Sequence, residues 1–171
     1  MRITPTRVLI VADDTVDSPE LCDAVARRAA AGPCTFTLMV PAFVRGPRPM
    51  RDLRGEGYAE AEERLEAALP GLSMAAGELV VGVIGPHDPL AAVHDALTLL
   101  GFDEIMISML LAGRSGWRRL ELPRKVRALG VPVFEVVAAE PAMRRVVAAE
   151  DHGVTHVVAA AQPQLTHIPA A

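Results

Sequence analysis

Short apolar runs alternate along the chain with segments in which apolar residues recur at helical spacing. The runs that predict strands are residues 7–12, 35–40, 78–84, 104–109 and 131–137. Because they are apolar almost throughout, these runs are typical of strands that are covered on both faces, as in a parallel sheet.

Capping residues and helix breakers mark the predicted helices between these strands. Ser18 followed by Pro19 predicts a helix start, since a serine hydroxyl accepts from free amides and proline suits the first turn. Asp88 and Pro89 repeat the pattern. The helices predicted in this way lie between Ser18 and Gly32 and over 58–69, 90–100 and 123–129. Residues 41–57 are predicted as a long loop. In the predicted helix 58–69, Arg64 is assigned to the charged outer face.

This alternation predicts an α/β domain: a doubly wound, five-stranded parallel sheet with helices on both faces. Ligands of such sheets bind beyond the carboxyl ends of the strands, near the topological switch point. The domain is predicted to span residues 1–138. Residues 139–171 are predicted as a C-terminal extension with one helix and a loose tail.

Composition narrows the classes of partner. A chain of 171 residues that is 51% hydrophobic has enough apolar side chains for one core. Its net charge of −4 argues against a nucleic-acid partner. No apolar run approaches the ~18 residues of a membrane span, and neither a signal peptide nor a disulfide framework is indicated. A cytoplasmic location without membrane contact is expected.

Several segments, taken in order, carry a family resemblance. They are residues 8–15, 18–21, 85–90, 102–107, 113–116 and 131–133. Together they resemble the universal stress protein family, over about residues 7–138. The resemblance implies a five-stranded parallel sheet, and many members of the family bind ATP. It also implies that Asp13 approaches a ribose and Val40 an adenine.

The segment after the fourth strand departs from the family's phosphate motif, Gly-x-x-Gly-x(9)-Gly-Ser/Thr. With Gly113 as the second glycine, Leu110 stands at the first, and Pro123 with Arg124 replaces the final pair. Leucine adds bulk where backbone would approach the ligand, and proline supplies no amide donor. The standard phosphate grip is therefore expected to be lost.

Basic residues in the same segment offer another way to hold an anion. The cluster consists of Arg114, Arg118, Arg119, Arg124, Lys125 and Arg127. Arginine forks suit phosphates, so a nucleotide or anion site is predicted. Its residues are Asp13, Val40, Gly113, Arg114, Ser115, Gly116 and Arg118. The competing interpretation is a solvated face whose basic residues pair with Glu62, Glu63 and Glu66.

Other constellations are weaker. Asp13 and Asp14 suggest a receiver domain, but the third strand ends without a phosphoacceptor aspartate and Lys125 precedes the last strand. His152 and His156 have the spacing of zinc ligands without a third partner. No catalytic residue and no metal site are predicted.

Three functions remain open. The first is a non-catalytic regulatory or stress-response module that does not depend on nucleotide. The second is a binder of ATP, the one candidate cofactor, or of another nucleotide or anionic ligand. The third, an adenine-nucleotide hydrolase, has least support because no catalytic constellation is visible. The resemblance also implies a homodimer through the last strand, from Val131 to Val137.

Overall fold

The computed structural model describes residues 4–42, 53–111 and 121–139. The strands are β1 (Thr6–Val11), β2 (Cys34–Pro41), β3 (Val81–Gly85), β4 (Glu104–Leu110) and β5 (Val133–Ala138). The helices described are α1 (Pro19–Ala30), α2 (Leu53–Ala76), α3 (Pro89–Leu99) and α4 (Leu122–Arg127). None of these helices combines the length and the apolar character that crossing a lipid bilayer requires.

The strands form one parallel sheet in the order β3-β2-β1-β4-β5. The chain builds outward from β1 through β2 to β3 and then returns to the other side of β1 with β4. The topological switch therefore lies between β1 and β4. The predicted doubly wound, five-stranded α/β fold is confirmed.

The core has two layers, because successive side chains of a strand point to opposite faces of the sheet. In β1, Val8 and Ile10 pack on the face covered by α1 and α2, whereas Leu9 and Val11 pack on the face covered by α3 and α4. All four side chains are fully buried, as the unbroken apolar run predicts.

Two helix starts follow their predicted caps. The Ser18 hydroxyl accepts from the Leu21 amide at 3.2 Å, and Pro19 opens α1. The Asp88 carboxylate accepts from the Leu90 amide at 2.9 Å at the start of α3. Both caps satisfy amides that have no partner within the helix.

The second helix is longer than predicted. It begins at Leu53, inside the predicted loop, and continues through Pro70 to Ala76. Proline in a helix interior removes one hydrogen bond, but Leu72 beyond it is fully buried in the core. Tertiary packing therefore stabilises the helix beyond Pro70, which by itself would favour a helix end. Residues 43–52 of the predicted loop lie outside the described residues.

The third strand is shorter than predicted and begins at Val81 rather than at residue 78. The domain described extends through β5 to residue 139. The predicted extension, including His152 and His156, lies outside the described residues and stays a prediction.

Candidate functional site

The carboxyl ends of β1, β2 and β3 lie side by side. The Ala12 amide donates to the Met39 carbonyl at 3.2 Å, and the Ala42 amide donates to the Gly85 carbonyl at 3.0 Å. Pairing thus continues one residue past β1 and β2, and Asp13 follows directly. Because ligands of doubly wound sheets bind at this edge, it is the candidate functional site.

The carboxylate of Asp13 is engaged by an arginine of α2. Arg64 forms an ion pair with Asp13 Oδ1, and the two side chains are 18% and 15% exposed, respectively. Burial lowers the pKa of Arg64 below its ordinary value. An arginine nevertheless stays charged at neutral pH, because its ordinary pKa is far higher. The edge therefore carries a charge pair rather than a bare carboxylate.

Arg64 is also held by its own helix. Its Nε donates to the Glu60 carbonyl at 2.9 Å, and its Nη2 lies 3.7 Å from Glu60 Oε2. The assignment of Arg64 to the outer helix face is wrong. Its side chain turns toward the sheet edge, because α2 packs on β2 and β3 along a stripe that borders Arg64.

Spacing along α2 is the signal that could have located Arg64. Ala61, Leu65 and Ala68 are buried and define the inner stripe of the helix. Arg64 follows Ala61 by three positions and precedes Ala68 by four, which are the intervals that place side chains on one helix face.

Val40 lies at the same edge but inside the core. It is fully buried, pairs with Ile84 in the sheet register and packs with Ala12 on the face covered by α1 and α2. The structure thus brings Asp13 and Val40 to one edge of the sheet. The side chain of Val40 is closed to a ligand, so contact with one would have to involve its main chain.

The other predicted site residues lie outside the described residues. They are Gly113, Arg114, Ser115, Gly116 and Arg118. Their role in binding an anion stays a prediction. The position where the family motif has its first glycine is described: Leu110 is the last residue of β4 and pairs with Ala138.

The start of α4 is poorly suited to phosphate. Glu121 precedes the helix in the left-handed conformation (φ 52°) and makes no capping hydrogen bond with its side chain. Leu122 and Pro123 follow it and are buried. A helix start attracts anions through free amides, but here a carboxylate lies beside it and proline supplies no amide.

The basic residues of α4 make local ion pairs. Arg124 pairs with Glu121 at 3.1 Å, and Arg127 pairs with Glu135 of β5. The pairing with the acidic residues of α2, which the competing interpretation predicts, is therefore wrong for these two arginines. The reason is topological, since α4 packs on one face of the sheet and α2 on the other.

Two buried hydroxyls are not among the predicted site residues. Thr15 is 2% exposed and Ser108 is 1% exposed, and neither hydroxyl has a hydrogen-bond partner in the part of the chain that the structure describes. Ser108 pairs with Val136 in the sheet register. An unsatisfied buried hydroxyl costs about 1–3 kcal/mol, so both are expected contact points for ordered water or polar ligand atoms. No local pattern marks either residue.

The two histidines between β3 and β4 are on the surface. His87, which follows β3, and His94, on α3, are both exposed. Across residues 4–42, 53–111 and 121–139, no group of three His, Cys, Asp or Glu side chains is placed to hold a metal ion.

Comparison with known proteins identifies solved structures that share this fold. No protein-family model matches the sequence, and no curated protein is significantly similar to it. Solved structures do match. The universal stress protein from Archaeoglobus fulgidus in complex with dAMP has a TM-score of 0.55 and 17% identity, covering 79% of this chain and 99% of its own.

Two further structures agree. A universal stress protein family protein from Arabidopsis thaliana with AMP bound has a TM-score of 0.53 and 14% identity, covering 78% of this chain and 92% of its own. A universal stress protein in complex with cAMP has a TM-score of 0.53 and 19% identity, covering 77% of this chain and 96% of its own. The chain has the universal stress protein fold, so the resemblance is confirmed at the level of the fold.

Proposed function

We propose that this chain is a non-catalytic regulatory module of the universal stress protein type that does not use the family's standard ATP grip. The fold supports the type of module. The observation that supports the rest is the start of α4, where Glu121 and Pro123 occupy the segment in which the family resemblance implies the phosphate contacts. A cytoplasmic location stays a prediction.

Electrostatics support the loss of the standard grip. A triphosphate placed at the start of α4 would meet the Glu121 carboxylate, and Pro123 has no amide to offer it. The Arg124 side chain pairs with Glu121 in solvent, where an ion pair contributes little, so nothing holds it in place for a phosphate. The described residues near α4 therefore do not replace the missing glycine amides.

The second candidate function is nucleotide binding through an arginine-rich phosphate site. It is favoured by the AMP, dAMP and cAMP that the three related structures hold. It is also favoured by Asp13, which lies at the edge where a ribose is expected. In this alternative, Arg114 and Arg118 would supply the phosphate contacts.

Calorimetric titration of nucleotide-stripped protein with ATP, with and without Mg²⁺, separates the two. The proposed module is expected to give no binding up to millimolar ATP. Micromolar binding, equivalent to about −8 kcal/mol, would overturn the proposal. In that case the double variant Arg114→Ala with Arg118→Ala should lose the binding if the arginines hold the phosphates.

We also propose a homodimer through β5. In the described part of the chain, β5 is an edge strand that pairs with β4 alone, and its Phe134 and Val137 are 49% and 37% exposed. A free apolar edge strand is a ready surface for pairing with a second chain.

Sedimentation equilibrium tests this dimer. Val137→Lys is expected to yield monomers, since a charge at a free edge opposes strand pairing. Val81→Lys is the matched control, because Val81 is 53% exposed on β3, the opposite edge strand. A wild-type monomer at micromolar concentration, or equal effects of both variants, would count against β5.

A further inference from the structure

The contact between Asp13 and Arg64 is buried, although each side chain keeps some exposed surface. Asp13 Oδ1 and both terminal nitrogens of Arg64 are fully buried. A carboxylate beyond a parallel strand, next to the switch point, is well placed to accept a hydrogen bond from a ligand hydroxyl. With Oδ1 buried against the guanidinium, that oxygen is not open to a ligand.

Arg64 is the fixed member of the pair. Its Nε bond to the Glu60 carbonyl ties the guanidinium to the preceding turn of α2. Its position between Ala61 and Leu65, both buried, anchors the stem beside the core. The planar guanidinium therefore stands over the sheet edge as part of a packed helix.

We propose that Arg64 closes the Asp13 carboxylate to ligands and so determines whether this edge binds the hydroxyls of a ribose-like ligand. The inference deepens the proposed function and rests on it, since it adds a second reason why this fold does not hold nucleotide in the usual way. The first reason lies where the family resemblance implies the phosphate contacts, in Glu121 and Pro123. The second lies at the hydroxyl end.

Adenosine is the probe that separates these two reasons, because it has no phosphate. Calorimetric titration with adenosine is expected to show binding at least about tenfold tighter for Arg64→Gln than for the wild type. Glutamine removes the cation and shortens the side chain, which opens the carboxylate to the ribose hydroxyls.

Arg28→Gln is the matched control. Arg28 joins α1 to Glu104 of β4 in an ion pair of similar exposure, at the amino end of the strand. The Arg28→Gln variant is expected to bind adenosine as the wild type does. A second control locates the gain, since adding Asp13→Ala to the Arg64→Gln variant removes both carboxylate oxygens and should abolish it.

Unchanged or weaker adenosine binding in a folded Arg64→Gln protein would overturn the inference. Circular dichroism and thermal melting establish folding. If that variant does not fold, Arg64→Lys keeps a cation near Asp13 without the broad fork. It is expected to bind adenosine at least about threefold tighter than the wild type, and absence of that gain is equally decisive.

Failure of the proposed function would look different. Micromolar ATP binding by the wild type would refute the module proposed above, whatever the variants do. The inference about Arg64 is judged by the ratio of adenosine affinities between variant and wild type.

Discussion

Two arginine–carboxylate pairs join helices to strands at opposite ends of the sheet. Arg28 of α1 and Glu104 of β4 are 18% and 20% exposed, and Arg64 and Asp13 are 18% and 15% exposed. The first pair is a fork with contacts of 2.7 and 3.1 Å. The Glu104 hydrogen bond raises the pKa of Arg28, whereas burial lowers that of Arg64.

The two arginine–carboxylate pairs also differ in geometry, which indicates two different roles. Arg28 makes two contacts with Glu104, and a charge-assisted fork of this kind stabilises the contact between α1 and β4. In the Arg64 pair the contact atoms of both charges are buried, and such a pair adds little net stability because both charges lose hydration. We therefore interpret the Arg28 pair as a structural clamp and the Arg64 pair as a feature of the candidate site.

The largest expected effect comes from breaking the clamp. Arg28→Gln removes both contacts and leaves Glu104 partly buried without its cation. We expect the free energy of unfolding to fall by about 2 kcal/mol. Urea denaturation measures it, and a loss below about 0.5 kcal/mol would mean that the clamp is no more than a surface ion pair.

A smaller effect is expected when both charges of the site pair are neutralised together. The double variant Asp13→Asn with Arg64→Gln leaves no uncompensated charge, so we expect a loss of about 1 kcal/mol or less. The same urea experiment reports it. If this loss exceeded that of Arg28→Gln, the contrast between the two pairs would be reversed.

The smallest effect concerns pH and a thiol beside the clamp. Cys34 lies 3.9 Å from the Arg28 carbonyl, and burial is the main reason why its pKa is raised from the ordinary value of 9.0. A group whose pKa is raised on folding stabilises the fold below its unfolded pKa, and that stability is lost as pH rises through the folded value.

Unfolding measured across pH 8 to 10 should therefore show a modest decline in stability above about pH 9. Cys34→Ala is expected to reduce that decline without abolishing it, because burial also raises the pKa of Cys22. An equal decline in the variant would assign it to other groups. The clamp itself should not titrate in this range, because the raised pKa of Arg28 lies well above it.

Local features of the fold could be predicted because their causes lie within a few residues. Ser18 and Asp88 cap the helices that follow them, and the run that contains Val8 and Ile10 is fully buried. Pro70 shows the limit of this reasoning. It is a local breaker, yet α2 continues through it because Leu72 packs in the core.

The candidate site was predictable in part. Asp13 and Val40 could be placed at one edge, because both directly follow or end apolar runs whose carboxyl ends meet in a parallel sheet. The burial of Thr15 and the partner of Asp13 could not be predicted. Each depends on a segment distant in the chain that covers the residue.

The sequence by itself determined the alternation of strands and helices, the caps and the acidic turn after β1, because hydrophobic period and capping act between near neighbours. Only the tertiary structure decided that Asp13 meets Arg64. The packing of α2 on β2 and β3 selects which helix face reaches the sheet edge. That choice is made by the whole core, and it turns an exposed acidic turn into a closed ion pair.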